Sequence, residues 1–61
     1  MMENAEPYEI CKHDRFIYAG MTYTALADPS GEFNTYVKVR NEQIGLDTEI
    51  VIRHGHTVTI L

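Results

Sequence analysis

The residue types that bind metals lie close together at two places in this sequence. His54 and His56 flank Gly55, and His13 follows Cys11 by two positions. Imidazole and thiolate groups are zinc and copper ligands, but Gly55 predicts a turn, so strand alternation does not fix the direction of the two histidines. No C-x-x-C pair completes a ligand set. We therefore expect no metal or other cofactor, and we keep His13, His54 and His56 as weak candidates for a metal- or pH-responsive site.

A thiol, a base and a carboxylate also occur together in the segment Cys11-Lys12-His13-Asp14. Nucleophilic catalysis needs the base within hydrogen-bond reach of the sulfur. Consecutive residues of a strand point to opposite faces, so sequence neighbours rarely reach that geometry. A domain this small also leaves little interior for an enclosed substrate pocket. We expect a protein that is not an enzyme.

Length, charge and cysteine content restrict the remaining classes of protein. The chain has 61 residues, a formal net charge of −4 and one cysteine. A lone cysteine excludes an intramolecular disulfide and favours a reducing compartment. The acidic balance argues against a general nucleic-acid coat or a membrane binder. We expect a flexible acidic N-terminus over residues 1–7, one small β domain over residues 8–61, and a cytoplasmic location, because no apolar run is long enough to span a membrane.

The clearest predicted element is a central hairpin formed by Met21–Ala27 and Phe33–Val39. Asp28-Pro29-Ser30-Gly31 has the chemistry of a type I turn followed by a left-handed residue, which suits a three-residue loop over residues 29–31. That loop sets a register in which odd-numbered side chains face the core. The inward cross-strand pairs would be Ala27 with Phe33, Ala25 with Thr35, Tyr23 with Val37, and Met21 with Val39.

A second hairpin is predicted for Glu49–Arg53 and Thr57–Leu61, with His54-Gly55-His56 as its loop. In this register Ile52 faces Val58 and Ile50 faces Ile60, which gives one apolar face.

The other segments are shorter. Tyr8–Cys11 and Phe16–Tyr18 have strand-like content, with turns at residues 12–14 and 19–20. The connection Asn41–Thr48 has room for one helical turn, and Ile44 or Leu46 could reach the core from it.

These elements predict a mostly β fold of four to six short antiparallel strands with at most one short helical turn. The apolar faces are hidden if the strands form a small barrel or a strongly curled sheet. Phe16–Tyr23, an apolar strand, a glycine turn and an aromatic-bearing strand, resembles the opening of SH3-like small barrels. A flat sheet completed by a second copy of the chain is the alternative.

One strand face carries the candidate binding surface. Asn34, Tyr36, Lys38 and Arg40 alternate along one strand and so project to the same side, and Arg53 would join them if the C-terminal hairpin packs alongside. A strand face with an aromatic ring between cations can bind nucleic acid, by stacking on bases and contacting phosphates. It can also bind an acidic peptide. The third interpretation is that the face is only solvated.

The strand Thr57–Leu61 contains no charged residue or proline, so at a sheet edge it would be a template for pairing. We expect a non-enzymatic binding module, most consistent with a protein–protein adaptor or inhibitor that self-associates or binds a partner through an edge strand. The alternatives are a nucleic-acid-binding small barrel that uses the basic strand face and a histidine-based responsive protein. We expect no membrane partner.

Overall fold

The computed structural model describes residues 2–61. Over these residues six antiparallel strands form a single curled sheet with the strand order β1-β6-β2-β3-β4-β5. The strands are β1 (Glu3–Ala5), β2 (Arg15–Tyr18), β3 (Met21–Ala25), β4 (Thr35–Asn41), β5 (Leu46–Ile52) and β6 (Val58–Ile60), and a 3-10 turn covers Pro7–Glu9. The predicted mostly β class, with four to six antiparallel strands and at most one short helical turn, is confirmed. The sheet is curled and open, with β1 and β5 at its two edges.

The core lies on the concave side of this sheet. It is built from eight apolar side chains: Ala5, Ile10, Phe16, Ala25, Val37, Val39, Ile52 and Val58. Along β4, Val37 and Val39 are buried, whereas Tyr36, Lys38 and Arg40 are exposed. The predicted direction of the β4 side chains is therefore confirmed, since strand residues alternate between faces.

The register of the central hairpin differs from the prediction by four residues. Tyr23 lies opposite Asn41 rather than Val37, and Ala25 lies opposite Val39. A four-residue shift is even, so it keeps the same side chains inward and the hydrophobic pattern cannot detect it. The predicted three-residue loop was wrong: residues 26–34 connect the strands, and Phe33, predicted to face the core, is exposed.

Local hydrogen bonds explain the longer connection. Ser30 and Tyr36 exchange two backbone hydrogen bonds, N to O 2.9 and 2.8 Å, which fold the end of the loop against the start of β4. The carboxylate of Asp28 accepts a hydrogen bond from the backbone N–H of Lys12 at 2.9 Å, so it ties the loop to a distant turn.

The predicted C-terminal hairpin was also wrong. β5 pairs with β4 along its whole length, and β6 pairs with β1 on one side and with β2 on the other. Inward-facing Ile52 and Val58 satisfy the apolar pattern equally well when their strands enter the core from different parts of the sheet. The strand predicted as a possible edge, Thr57–Leu61, is therefore an interior strand.

The remaining segments show mixed outcomes. Strand β2 and the turns at residues 12–13 and 19–20 lie where predicted. Tyr8–Cys11 does not form a strand. The helical turn lies at Pro7–Glu9 rather than in Asn41–Thr48. Ile44 and Leu46 are exposed and do not reach the core, because β4 continues to Asn41 and a tight turn at residues 42–45 leads directly into β5.

The N-terminal segment has a definite place in the sheet. The sequence predicts that residues 1–7 are flexible. Of these, Met1 lies outside the described residues. The structure places Glu3–Ala5 beside β6, with Ala5 opposite Val58 and buried in the core. Among residues 2–61 no helix is long and apolar enough to cross a membrane.

Candidate functional site

The predicted strand face, here called the β4 surface, consists of Asn34, Tyr36, Lys38, Arg40 and Arg53. The structure brings these residues together because β5 pairs with β4, with Tyr36 opposite Val51. Arg53 follows Val51 by two positions and continues the same alternation past the end of β5. Tyr36, Lys38, Arg40 and Arg53 are exposed, and Asn34 is partly buried.

Ion pairs already engage much of the positive charge on this side of the sheet. The Arg40 guanidinium donates two hydrogen bonds to the Asp47 carboxylate, at 2.7 and 3.3 Å. These hydrogen bonds and the attraction of opposite charges lower the pKa of Asp47 and raise the pKa of Arg40. A phosphate group that bound Arg40 would have to compete with this carboxylate.

A second ion pair lies further along the same face. Arg15 donates two hydrogen bonds to Glu42, at 2.9 and 2.8 Å, and the Thr24 hydroxyl donates a third at 2.7 Å. These bonds to the charged form hold the pKa of Glu42 at about 2. Within residues 2–61, Lys38 and Arg53 of the β4 surface form no ion pair.

Asn34 has a positioning role. Its side-chain oxygen accepts a hydrogen bond from the backbone N–H of His54 at 3.0 Å. This bond joins the end of the β3–β4 loop to the turn that follows β5. His54 is thereby brought beside Phe33, and the two rings stack with centroids 4.4 Å apart and planes 20° from parallel.

The stacked pair borders a cleft of about 270 Å³. Tyr8 forms another part of its wall, so side chains from three separate segments meet here. Tyr8 and Phe33 are 73% and 70% exposed, and exposed apolar side chains that cluster around one cleft are typical of interaction sites. Charged groups also border the cleft, namely Glu6, Glu32 and Arg53.

Tyr8 is held in place by the 3-10 turn. Pro7 occupies the first turn and is buried, and the backbone N–H of Glu6 donates to the Glu9 carboxylate at 2.8 Å. This is half of a capping box, in which the Glu9 side chain satisfies an amide that the short helix leaves unpaired.

The loop that carries Phe33 is fixed by a close backbone approach at Gly31. This residue has φ +104°, and a Cβ atom there would overlap the carbonyl oxygen of Asn34 and lie 2.9 Å from Cδ1 of Tyr36. Only glycine fits this position without a shift of the loop. Gly31 therefore connects the geometry of the cleft with that of the β4 surface.

The histidines have different partners. His54 stacks on Phe33, whereas Nδ1 of His56 lies 2.6 Å from the Tyr18 hydroxyl oxygen. The backbone of His13 has φ +80°, and its N–H donates to the carbonyl of Ala25. Among the described residues no group of three or more His, Cys, Asp or Glu side chains is placed to hold a metal ion.

The segment that contains Cys11 is used for local structure. The Asp14 carboxylate accepts a hydrogen bond from the backbone N–H of Cys11 at 2.8 Å. The thiol is exposed and lies 3.7 Å from the carbonyl oxygen of Glu9.

Comparison with protein-family models, curated proteins and solved structures finds no significant match to this chain. The functional interpretation therefore rests on the site itself.

Sequence reasoning identified Arg53 and Asn34 but missed the cleft. Phe33 was predicted to face the core, and Tyr8 was predicted to lie in a strand. Pro7 is a sequence signal for the helical turn that carries Tyr8. A cleft formed by three distant segments, however, requires the strand pairing to be known.

Proposed function

We propose that this protein is a small non-enzymatic module that binds another protein and holds an extended segment of it in the cleft between Tyr8, Phe33 and His54. The observation that carries the proposal is that three aromatic side chains, from three segments of the chain, are exposed around one cleft. Tyrosine and other aromatic residues are enriched among the residues that dominate binding energy at interfaces.

The size of the cleft supports a side chain as its occupant. Clefts for small-molecule ligands commonly measure about 300–1,000 Å³ and bury most of the ligand. This cleft, at about 270 Å³, is smaller and borders open solvent. One or two apolar side chains of a bound segment would fill it and cover the exposed rings of Tyr8 and Phe33.

Charge defines the flanking chemistry of that segment. Two acidic residues, Glu6 and Glu32, border the cleft together with one arginine, Arg53. The whole chain has a formal charge of −4. Complementary charge increases association rates and selects partners, so the preferred segment has an apolar residue next to lysine or arginine.

The β4 surface supports nucleic-acid binding less well. Arg40 and Arg15 are paired with carboxylates. Of the cations on the β4 surface, Lys38 and Arg53 form no ion pair within residues 2–61. Affinity for nucleic acid depends on the number of phosphates neutralised. The protein-binding proposal is therefore preferred.

Two further features belong to the same proposal. The strand order β6-β2-β3-β4-β5 supports an SH3-like arrangement with β1 added at one edge. The exposed thiol of Cys11 supports residence in a reducing compartment such as the cytoplasm, where such a thiol stays reduced.

Selection from a phage-displayed library of random dodecapeptides tests the proposal. We expect the wild-type protein to enrich peptides with an apolar residue beside lysine or arginine. Phe33→Ser should abolish this enrichment, because it removes one ring of the stacked pair and leaves the core intact. Ile44→Ser is the matched control, since Ile44 is 63% exposed and lies in the turn at the other end of β4.

Two results would overturn the proposal. One is the absence of enrichment with the folded wild-type protein. The other is an enriched peptide that binds Phe33→Ser as well as it binds the wild type. Titration of the same protein with single-stranded DNA, followed by amide NMR, gives the competing outcome: shifts confined to the β4 surface would favour nucleic acid.

A further inference from the structure

The long edge strand β5 offers a second interaction surface, which meets the cleft at Arg53. β5 has seven residues and pairs with β4 alone, whereas the other edge strand, β1, has three. Proteins commonly protect sheet edges by short strands, proline or charge. β1 is protected because it is short. Leu46–Ile52 contains no proline or lysine. Arg40 neutralises its Asp47, and its other charged residue, Glu49, lies opposite Lys38.

The hydrogen bonds of β4 show which backbone groups of β5 are free. Both the N–H and the C=O of Tyr36 bond to Ser30, on the side away from β5. The pair Tyr36–Val51 is therefore a non-hydrogen-bonded pair, and antiparallel pairs alternate between the two types. It follows that Asp47, Glu49 and Val51 direct their N–H and C=O groups toward the open edge.

We propose that two copies of this chain pair antiparallel through β5, with Val51 opposite Val51 of the second copy at the two-fold axis. In this register the free backbone groups of the two Val51 residues bond to each other. Glu49 then lies opposite Arg53 of the second copy, and symmetry repeats this opposite-charge pair on the other side of the axis. Cross-strand pairs of opposite charge stabilise antiparallel sheets.

Side-chain complementarity selects this register over its neighbours. A shift that centres the axis on Glu49 places two carboxylates opposite each other, which is destabilising. A shift that centres it on Ile50 places Glu49 opposite Val51 and so gives Glu49 no cation from the second copy. Within its own copy Glu49 lies opposite Lys38 of β4. The proposed register alone also gives Glu49 a cation from the second copy, and it places an apolar pair at the centre.

The apolar surface near the axis agrees with this arrangement. Val51 is 44% exposed and lies beside the exposed ring of Tyr36. Pairing of the two edges would form a continuous row of Tyr36, Val51, Val51 and Tyr36 across one face of the joined sheets. On the other face Ile50, which is partly buried in one copy, would lie opposite Ile52 of the second.

Sedimentation equilibrium of the full chain over a range of concentrations tests the proposal. We expect a reversible monomer–dimer equilibrium. Glu49→Arg places arginine opposite Arg53 twice and should weaken the dimer by about tenfold or more, since two attractive pairs become repulsive. The double variant Glu49→Arg with Arg53→Glu restores both pairs and should recover the wild-type dissociation constant.

The control is Glu32→Arg, which changes the net charge equally but lies at the cleft. It should leave the dissociation constant within about twofold of the wild type, and circular dichroism should show that all variants fold. A monomer at all concentrations would overturn the proposal, as would a dimer that Glu49→Arg does not weaken. A dimer weakened by Glu32→Arg instead would overturn the proposal and would show that the cleft is the interface.

Discussion

Val37→Ala tests whether the side-chain directions along β4 are those of the structure. Val37 is 0% exposed and lies between the exposed residues Tyr36 and Lys38. The change removes the equivalent of two buried methylene groups, or about 1.6 kcal/mol at roughly 0.8 kcal/mol each. The cavity left behind adds to this loss, so we expect the free energy of unfolding to fall by about 2–3 kcal/mol.

This loss is large for so short a chain. Domains have roughly 0.05–0.15 kcal/mol of stability per residue, which gives about 3–9 kcal/mol here. Urea denaturation followed by tyrosine fluorescence is suitable, because the chain has four tyrosines and no tryptophan. With a slope of about 1 kcal/mol/M, typical of small domains, the urea midpoint should fall by about 2–3 M.

Lys38→Ala is the matched control for this measurement. Lys38 follows Val37 directly but points into solvent, so its removal should change stability by no more than about 0.5 kcal/mol. Equal losses for the two variants, or a larger loss for Lys38→Ala, would show that the strand does not present Val37 to the core. The β4 surface would then have to be abandoned.

Two other changes test the interactions that hold the strands and the cleft. Glu42→Gln should flatten the pH dependence of stability: the pKa of Glu42 is lowered from 4.5 to about 2, so its contribution is complete above pH 4.5 and is lost as the pH falls through 2. Urea midpoints measured from pH 5 to 2 should therefore fall less in the variant, and parallel curves would contradict the ion pair with Arg15. Gly31→Ala should destabilise the protein by more than about 1 kcal/mol and alter the amide NMR shifts of Phe33 and His54, because the new Cβ overlaps the Asn34 carbonyl at a positive φ. Unchanged shifts would show that the loop does not make this close approach.

Side-chain direction could be predicted from the sequence, whereas strand pairing could not. The alternation of Val37 and Val39 with Tyr36 and Lys38 is a local signal, because the two faces of one strand meet different environments. Register is not local. A slip of four residues between β3 and β4 leaves every inward residue inward, so the turn chemistry around Pro29 was the remaining evidence, and it indicated too short a loop.

The same limitation explains why the candidate site was found only in part. Arg53 was expected to join the β4 surface if the C-terminal hairpin packed alongside. That hairpin does not form, and Arg53 follows directly on β5, which pairs with β4 rather than with β6. Phe33 reaches the cleft because the hairpin is out of its predicted register, which moves the residue from a strand into the loop. Tyr8 reaches it from a 3-10 turn, for which Pro7 was the available sequence signal.

The distribution of ion pairs determines which parts of the surface remain available for partners. Arg15 on β2 and Thr24 on β3 interact with Glu42 in the turn between β4 and β5, and Arg40 joins β4 to Asp47 on β5. The end of the outer face near the β4–β5 turn therefore pairs its own charges, and in the middle of the face Lys38 lies opposite Glu49. What remains is the aromatic cleft at one end of β4 and the open edge of β5, and these two surfaces meet at Arg53.

Because Arg53 borders the cleft and would also face Glu49 of a second copy, a change at this residue alone cannot separate the two surfaces. Phe33 and Glu49 can, since each lies on only one of them. Loss of peptide enrichment in Phe33→Ser with an unchanged dimer would assign recognition to the cleft. A weakened dimer in Glu49→Arg with unchanged enrichment would assign self-association to β5. If each variant impaired both properties, the two surfaces would have to act as one site, with Arg53 as the residue that connects them.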